Sequence, residues 1–264
     1  GPNDTAYCCI FHLNDAPEAY FVYPEYQSIT ACDPESLVFM VNDTNFNMLP
    51  STVVLNIEGL GDFDTTHADF YVHDDSFYVF TGTEGLWSHG DTVRASIVAG
   101  EDYWGFDIVG LPIEWEFIID YEPPLITNHF PPHDTIFIGL FPDSAFLTFF
   151  DDISGFDTTG IEITINGIPY PYAGTYDVSD TFTMSIPLEM SVCIDSSETC
   201  EVEICIDNIH DMPDYCLPND TLYCWTFYLQ RVGPIPEIIF PMPGTFVACE
   251  DSVIMILLNE TLGE

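Results

Sequence analysis

"PNDTLYCWTFYL", residues 218–229, recurs with eight of its twelve residues identical as "PNDTAYCCIFHL" at residues 2–13. The two segments stand 216 residues apart. A shorter echo lies between them. In "PIEWEFII", from Pro112, Trp115 and Phe117 align with Trp225 and Phe227 at an offset of 110. Self-similarity at a fixed interval is the signature of a repeat architecture. Other landmarks keep the interval. Gly59 and Gly167 close "VVLNIEG" and "IEITING" at an offset of 108, and Cys32 matches Cys249 at 217. Asp43, Asp152 and Glu260 follow equivalent apolar segments. The unit is therefore about 108 residues, and 216 is two units.

Punctuation places the boundaries. Each unit ends on an aromatic strand, Trp115–Phe117 or Trp225–Phe227, followed by a proline-bearing linker, "DYEPP" at 120–124 or "QRVGPIP" at 230–236. Complete domains are expected at 14–121 and 122–229. Residues 1–13 then read as the last strand of a preceding repeat. Residues 230–264 read as the first strands of a following one. Such a strand pair cannot bury its apolar face alone. "ACEDSVIMILLNE", residues 248–260, offers one apolar face or the other, and something is expected to cover it.

Within the unit, strands dominate. In "DDISGFDTTGIEITINGIPY", residues 151–170, Ile161 to Ile165 alternates apolar and polar, as a half-buried strand does. Asn166-Gly167 supplies the two positive-φ residues of a type I′ turn. The chain has 20 Pro and 17 Gly among many Val, Ile, Thr, Tyr and Phe, which favours strands and turns. Hydrophobic residues make up 47%, enough to fill real cores. The expected class is all-β. A unit of this length with about seven short strands fits an immunoglobulin-like sandwich.

Charge narrows the partners. Forty-four Asp and Glu face two Arg and no Lys, a net charge of −42. Phosphate recognition needs a basic surface, so nucleic acid is excluded, and an anionic membrane surface is disfavoured. Such a chain repels itself at neutral pH and low salt. Divalent cations, high salt or acid would each relieve the repulsion. No apolar run nears the ~18 residues of a membrane-spanning helix, and no signal-peptide pattern opens the chain. Nine Cys without a CxxC pair read as disulfides of an exported protein.

The acidic turn Asp152, Ser154, Gly155, Asp157, the hairpin Ile163, Ile165, Asn166, Gly167 and the closing Trp225, Thr226, Phe227 resemble the tandem Ig-like repeats of large bacterial and archaeal surface proteins. The resemblance spans both complete units. The first departs from it, with "NDTNFNMLPST" for the acidic turn and Glu58-Gly59 for Asn-Gly. It implies a structural, extracellular, non-catalytic protein that self-associates head to tail into a fibre, stalk or surface layer. The alternative is an adhesin array presenting a glycan- or cell-binding domain.

Candidate sites follow. Asp151, Asp152 and Asp157, joined by the linker acids Asp120 and Glu122, form a candidate Ca²⁺ set, since that cation takes six to eight oxygens. The competing reading is solvated turn residues that cap strands. His67 and His73 sit ~20 Å apart along one strand, too far to share a metal. No GxSxG, HExxH, Walker A or GxGxxG pattern occurs. Cys8 and Cys32 recur together as Cys224 and Cys249, and their middle counterparts are lost together, which suggests disulfides Cys8–Cys32 and Cys224–Cys249. Cys193–Cys200 and Cys205–Cys216 remain within the second unit, leaving Cys9. Four N-x-T sequons, at Asn3, Asn42, Asn219 and Asn259, fall at two equivalent places and are candidate glycosylation sites.

Overall fold

The computed structural model describes residues 13–33, 35–139, 141–170, 176–178, 182–189, 199–230, 235–242, 244, 246 and 253–259. Among these, strands and turns predominate, and the one helical element is a single 3₁₀ turn at Pro50–Thr52. The chain divides into two units. The first comprises Gly1–Glu122 with Met212–Asn219, the second Pro123–Asp211 with Asp220–Glu264.

The first unit holds β1 (Glu18–Tyr23), β2 (Ile29–Thr30), β3 (Leu37–Asn42), β4 (Val54–Ile57), β5 (Gly61–Asp64), β6 (Phe70–His73), β7 (Phe77–Phe80), β8 (Thr92–Ala99) and β9 (Ile113–Ile119). They form two sheets, ordered β1-β3-β7-β6 and β2-β9-β8-β4-β5. In immunoglobulin lettering these are A-B-E-D and A′-G-F-C-C′, with A′ parallel to G through Ile29↔Ile118. Alternation makes each strand two-faced. In β3, Leu37, Phe39 and Val41 are buried while Val38 and Met40 are half-buried on the other face. They meet Leu55, Ile97, Trp115 and Phe117 from the opposite sheet in one core. Phe21 stacks on Trp115 at 4.2 Å between centroids.

The second unit repeats the plan with β10 (Leu125–Phe130), β11 (Ile136–Ile138), β12 (Ser144–Phe150), β13 (Phe156–Asp157), β14 (Glu162–Ile165), β15 (Ile168–Pro169), β16 (Tyr176–Val178), β17 (Phe182–Pro187), β18 (Thr199–Asp211) and β19 (Asp220–Gln230). Its sheets run β10-β12-β17-β16 and β11-β19-β18-β14-β15, with β13 also on β18. Leu147, Phe149, Ile163, Ile204, Trp225 and Phe227 lie in its core. The folds are thus all-β, immunoglobulin-like sandwiches. Asn166 and Gly167 take φ of 51° and 73° between the paired Ile165 and Ile168, the geometry that a type I′ turn demands. In the first unit Ile57 instead pairs with Gly61, so the matching hairpin has a three-residue loop with Gly59 at φ 82°.

A last pair, β20 (Ile235–Phe240) and β21 (Met255–Asn259), forms a two-stranded sheet. Of residues 1–13, expected as the last strand of a preceding repeat, 1–12 lie outside the described residues.

Candidate functional site

The β20–β21 pair copies β1–β3 residue for residue. Glu18 pairs with Asn42, and Ile235, 217 positions on, pairs with Asn259. Both ladders carry an irregularity at the same place, after Phe21 and after Ile238. The pair is therefore the first two strands of a third sandwich. Its environment is opposite to that of its counterpart. Leu37, Phe39 and Val41 are 0%, 0% and 2% exposed, whereas their equivalents Ile254, Ile256 and Leu258 are 69%, 54% and 63% exposed. These residues hold core positions of a sandwich of which the described residues contain the first two strands.

The segment Met212–Asn219 links β18 to β19 in sequence, yet belongs to the first unit. There it extends the sheet beyond β2. Thr30 and Tyr215 form a parallel bridge. The Ala31 amide donates to the Tyr215 carbonyl at 3.2 Å, and the Asp214 amide to the Ile29 carbonyl at 2.8 Å. The Ile29 amide donates to Asp214 Oδ2 at 2.8 Å. The Tyr215 ring meets Tyr23 edge-on at 4.8 Å. A Cys32–Cys216 disulfide locks the arrangement, with Cα atoms 5.4 Å apart.

This disulfide overturns the expected Cys8–Cys32 and Cys205–Cys216 pairs. A second bond, Cys205–Cys224, overturns Cys224–Cys249. The cause is register. Cys205 and Cys224 stand directly opposite across β18 and β19, with Cα atoms 4.1 Å apart. The Cys224 counterpart Glu114 faces Ser96, so both halves of that bond are missing together in the first unit. Cys200 is also disulfide-bonded. Cys193, its expected partner, lies outside the described residues, as do Cys8, Cys9 and Cys249.

Beside this staple, Glu35 is a buried carboxylate. Burial raises its pKa from the ordinary glutamate range, while hydrogen bonds from Thr30, the Ser36 amide and Tyr23 pull the other way and do not prevail. Tyr23 is pushed up to about 12, first by burial and then by the Glu35 charge.

The acidic turn serves its own backbone. Asp151 Oδ1 accepts the amides of Ile153 at 3.1 Å and Gly155 at 2.7 Å. Asp157 accepts the Thr159 amide at 2.8 Å and its hydroxyl at 2.7 Å. Those bonds from Thr159 hold the Asp157 pKa below the usual carboxylate range. Among the described residues, Asp152, Asp157 and Glu122 join no set of three ligand atoms within 4.8 Å of one another. Within the second unit, Asp151 instead has a carboxylate oxygen within 4.8 Å of one from Asp211, which is buried at the end of β18. Asp211 is remote in sequence and carries no motif, so only the pairing of β13 with β18 brings it near the turn. In the first unit Asp120 is buried, with Oδ1 3.3 Å from His89 Nδ1.

Of the sequons, Asn42 is exposed at the end of β3. Asn219 is half-buried and its Nδ2 donates to the Asp120 carbonyl at 3.1 Å. Asn3 and the Asn259 side chain lie outside the described residues.

No family model and no curated protein matches the sequence. Solved structures similar to it include tandem modules. The titin I-band fragment I67–I69 aligns at 8% identity and a TM-score of 0.41, over 81% of this chain and 66% of that one. Human protocadherin-24 EC1-2 aligns at 12% and 0.35, over 83% and 98%. The tandem Ig repeats of Dlar align at 14% and 0.24, over 81% and 98%. The class itself, tandem immunoglobulin-like sandwiches, rests on the strand order and core of each unit.

Proposed function

We propose that this chain is a structural, extracellular, non-catalytic subunit that associates with further copies of itself to build a fibre, stalk or surface layer. The observation that carries the reading is the open face of β20–β21, where Ile254, Ile256 and Leu258 are exposed although their register equivalents form a sandwich core. Covering each such side chain, by later strands of the same repeat or by another copy, is worth about 1.5–3 kcal/mol. Two described disulfides fit an oxidising compartment. The −42 charge keeps single chains soluble and apart, and places assembly under the control of salt, acid or divalent cations.

The test is a charged substitution in the open face. In sedimentation velocity, the wild-type chain forms concentration-dependent assemblies, and the double variant Ile256→Asp, Leu258→Asp forms smaller ones at the same concentration. Both positions are solvent-exposed, so each unit keeps its own fold. Assemblies of unchanged size in the variant would remove the hairpin from the account.

A further inference from the structure

The first unit shows how the edge of this sandwich is completed. Strand β2, the A′ strand, has an outer edge, and the F–G segment Met212–Asn219 meets it through a single parallel bridge, Thr30 to Tyr215, flanked by the backbone hydrogen bonds of Ala31 and Asp214. The second unit has the same edge. Its A′ strand β11 runs parallel to β19 through Ile136↔Tyr228, as β2 runs along β9 through Ile29↔Ile118. Among the described residues no strand pairs the outer side of β11. Ile136 and Ile138 are 52% and 46% exposed there. Proteins commonly protect such edges with lysine, and this chain has none.

The first unit also carries the matching loop. Residues 100–112 connect β8 to β9, the position that 212–219 occupies between β18 and β19. This loop presents Tyr103 and Trp104, 69% and 66% exposed, with ring centroids 5.4 Å apart. It is rigidly built. Buried Asp102 accepts the amides of Trp104 and Phe106 at 2.8 Å through one oxygen, and the Tyr103 amide donates to the Asn47 carbonyl at 2.9 Å. A loop already fixed in shape loses little entropy on docking.

We infer that the β11 edge of one copy receives the F–G loop 100–112 of a second copy by parallel strand addition, with Tyr103 and Trp104 covering Ile136 and Ile138. The inference rests on the self-association reading above and names one of its contacts. Loop and edge are different surfaces, so the contact is heterologous and propagates into an open chain or a ring. Docking by strand addition draws its affinity from main-chain hydrogen bonds and its specificity from side chains.

Complementation tests it. Trp104→Ser removes the loop's anchor and leaves the edge. Ile138→Lys blocks the edge and leaves the loop. Each variant alone should weaken wild-type association by about tenfold or more, the usual effect of losing an aromatic anchor. An equimolar mixture should regain the wild-type affinity for one contact per pair. Variants that assemble like wild type, or a mixture no stronger than either alone, would overturn this contact while leaving self-association standing. A wild-type chain that remains monomeric at every concentration would overturn both.

Discussion

Glu35 is a carboxylate buried in a chain that has no shortage of exposed ones. Its pKa is raised chiefly by burial. Between the ordinary glutamate pKa and the raised native one, the folded state therefore binds the proton more tightly than the unfolded state does. The resulting stability is fully present below the ordinary glutamate pKa and is lost as pH rises through the raised value. Glu35→Gln has no such proton to lose. Its Oε1 still accepts the Ser36 amide, so the local frame survives. Chemical denaturation from about pH 4 to about pH 8 should show the variant gaining on the wild type as pH rises, by about 1.4 kcal/mol for each unit by which the native pKa is raised. Parallel curves would mean that Glu35 is ionised in the folded state across that range. Nothing in the sequence singles this residue out among 44 acids. Its burial depends on Thr30 and Thr83, which reach it from separate parts of the fold. The alternation of Ile161 to Ile165 and the Asn166-Gly167 turn were legible, because both are local properties of the chain.

At the scale of elements, strands were readable and the bonds between them were not. Recurrence of Cys8 with Cys32 and of Cys224 with Cys249 shows which cysteines are kept together, without showing what each one faces. The cross-strand register of β18 and β19 places Cys205 against Cys224. A loop that leaves its own unit places Cys216 against Cys32. Acidic residues show the same limit. Asp151 and Asp157 read as a possible ligand set because they are close in sequence, yet each caps its own turn. The Cys32–Cys216 bond spans 184 residues, whereas Cys205–Cys224 spans 19. Loop-closure entropy makes the first worth roughly 5 kcal/mol and the second roughly 3 kcal/mol. Oxidised double variants should follow that order. Cys32→Ser, Cys216→Ser should lower the melting temperature more than Cys205→Ser, Cys224→Ser. The reverse order would mean that the 212–219 segment is held in the first unit chiefly by its strand hydrogen bonds and the Tyr23–Tyr215 contact.

At the scale of the whole molecule, the repeat is the organising fact. An interval of about 108 residues is visible in the sequence because equivalent core positions, Trp115 and Trp225 among them, need the same side chains. Ile254, Ile256 and Leu258 stand one such double interval beyond the core residues Leu37, Phe39 and Val41, and their exposure is what the assembly account builds on. The −42 charge opposes close approach of copies. Assembly is therefore expected above a threshold of salt, where the Debye length falls below ~10 Å. Negative-stain electron microscopy of the purified chain, across a salt series, tests this most directly. The account predicts filaments or sheets with a regular axial repeat that appear as salt rises and are shorter and sparser in Ile256→Asp, Leu258→Asp. Dispersed single particles at every salt concentration, with wild type and variant alike, would contradict it.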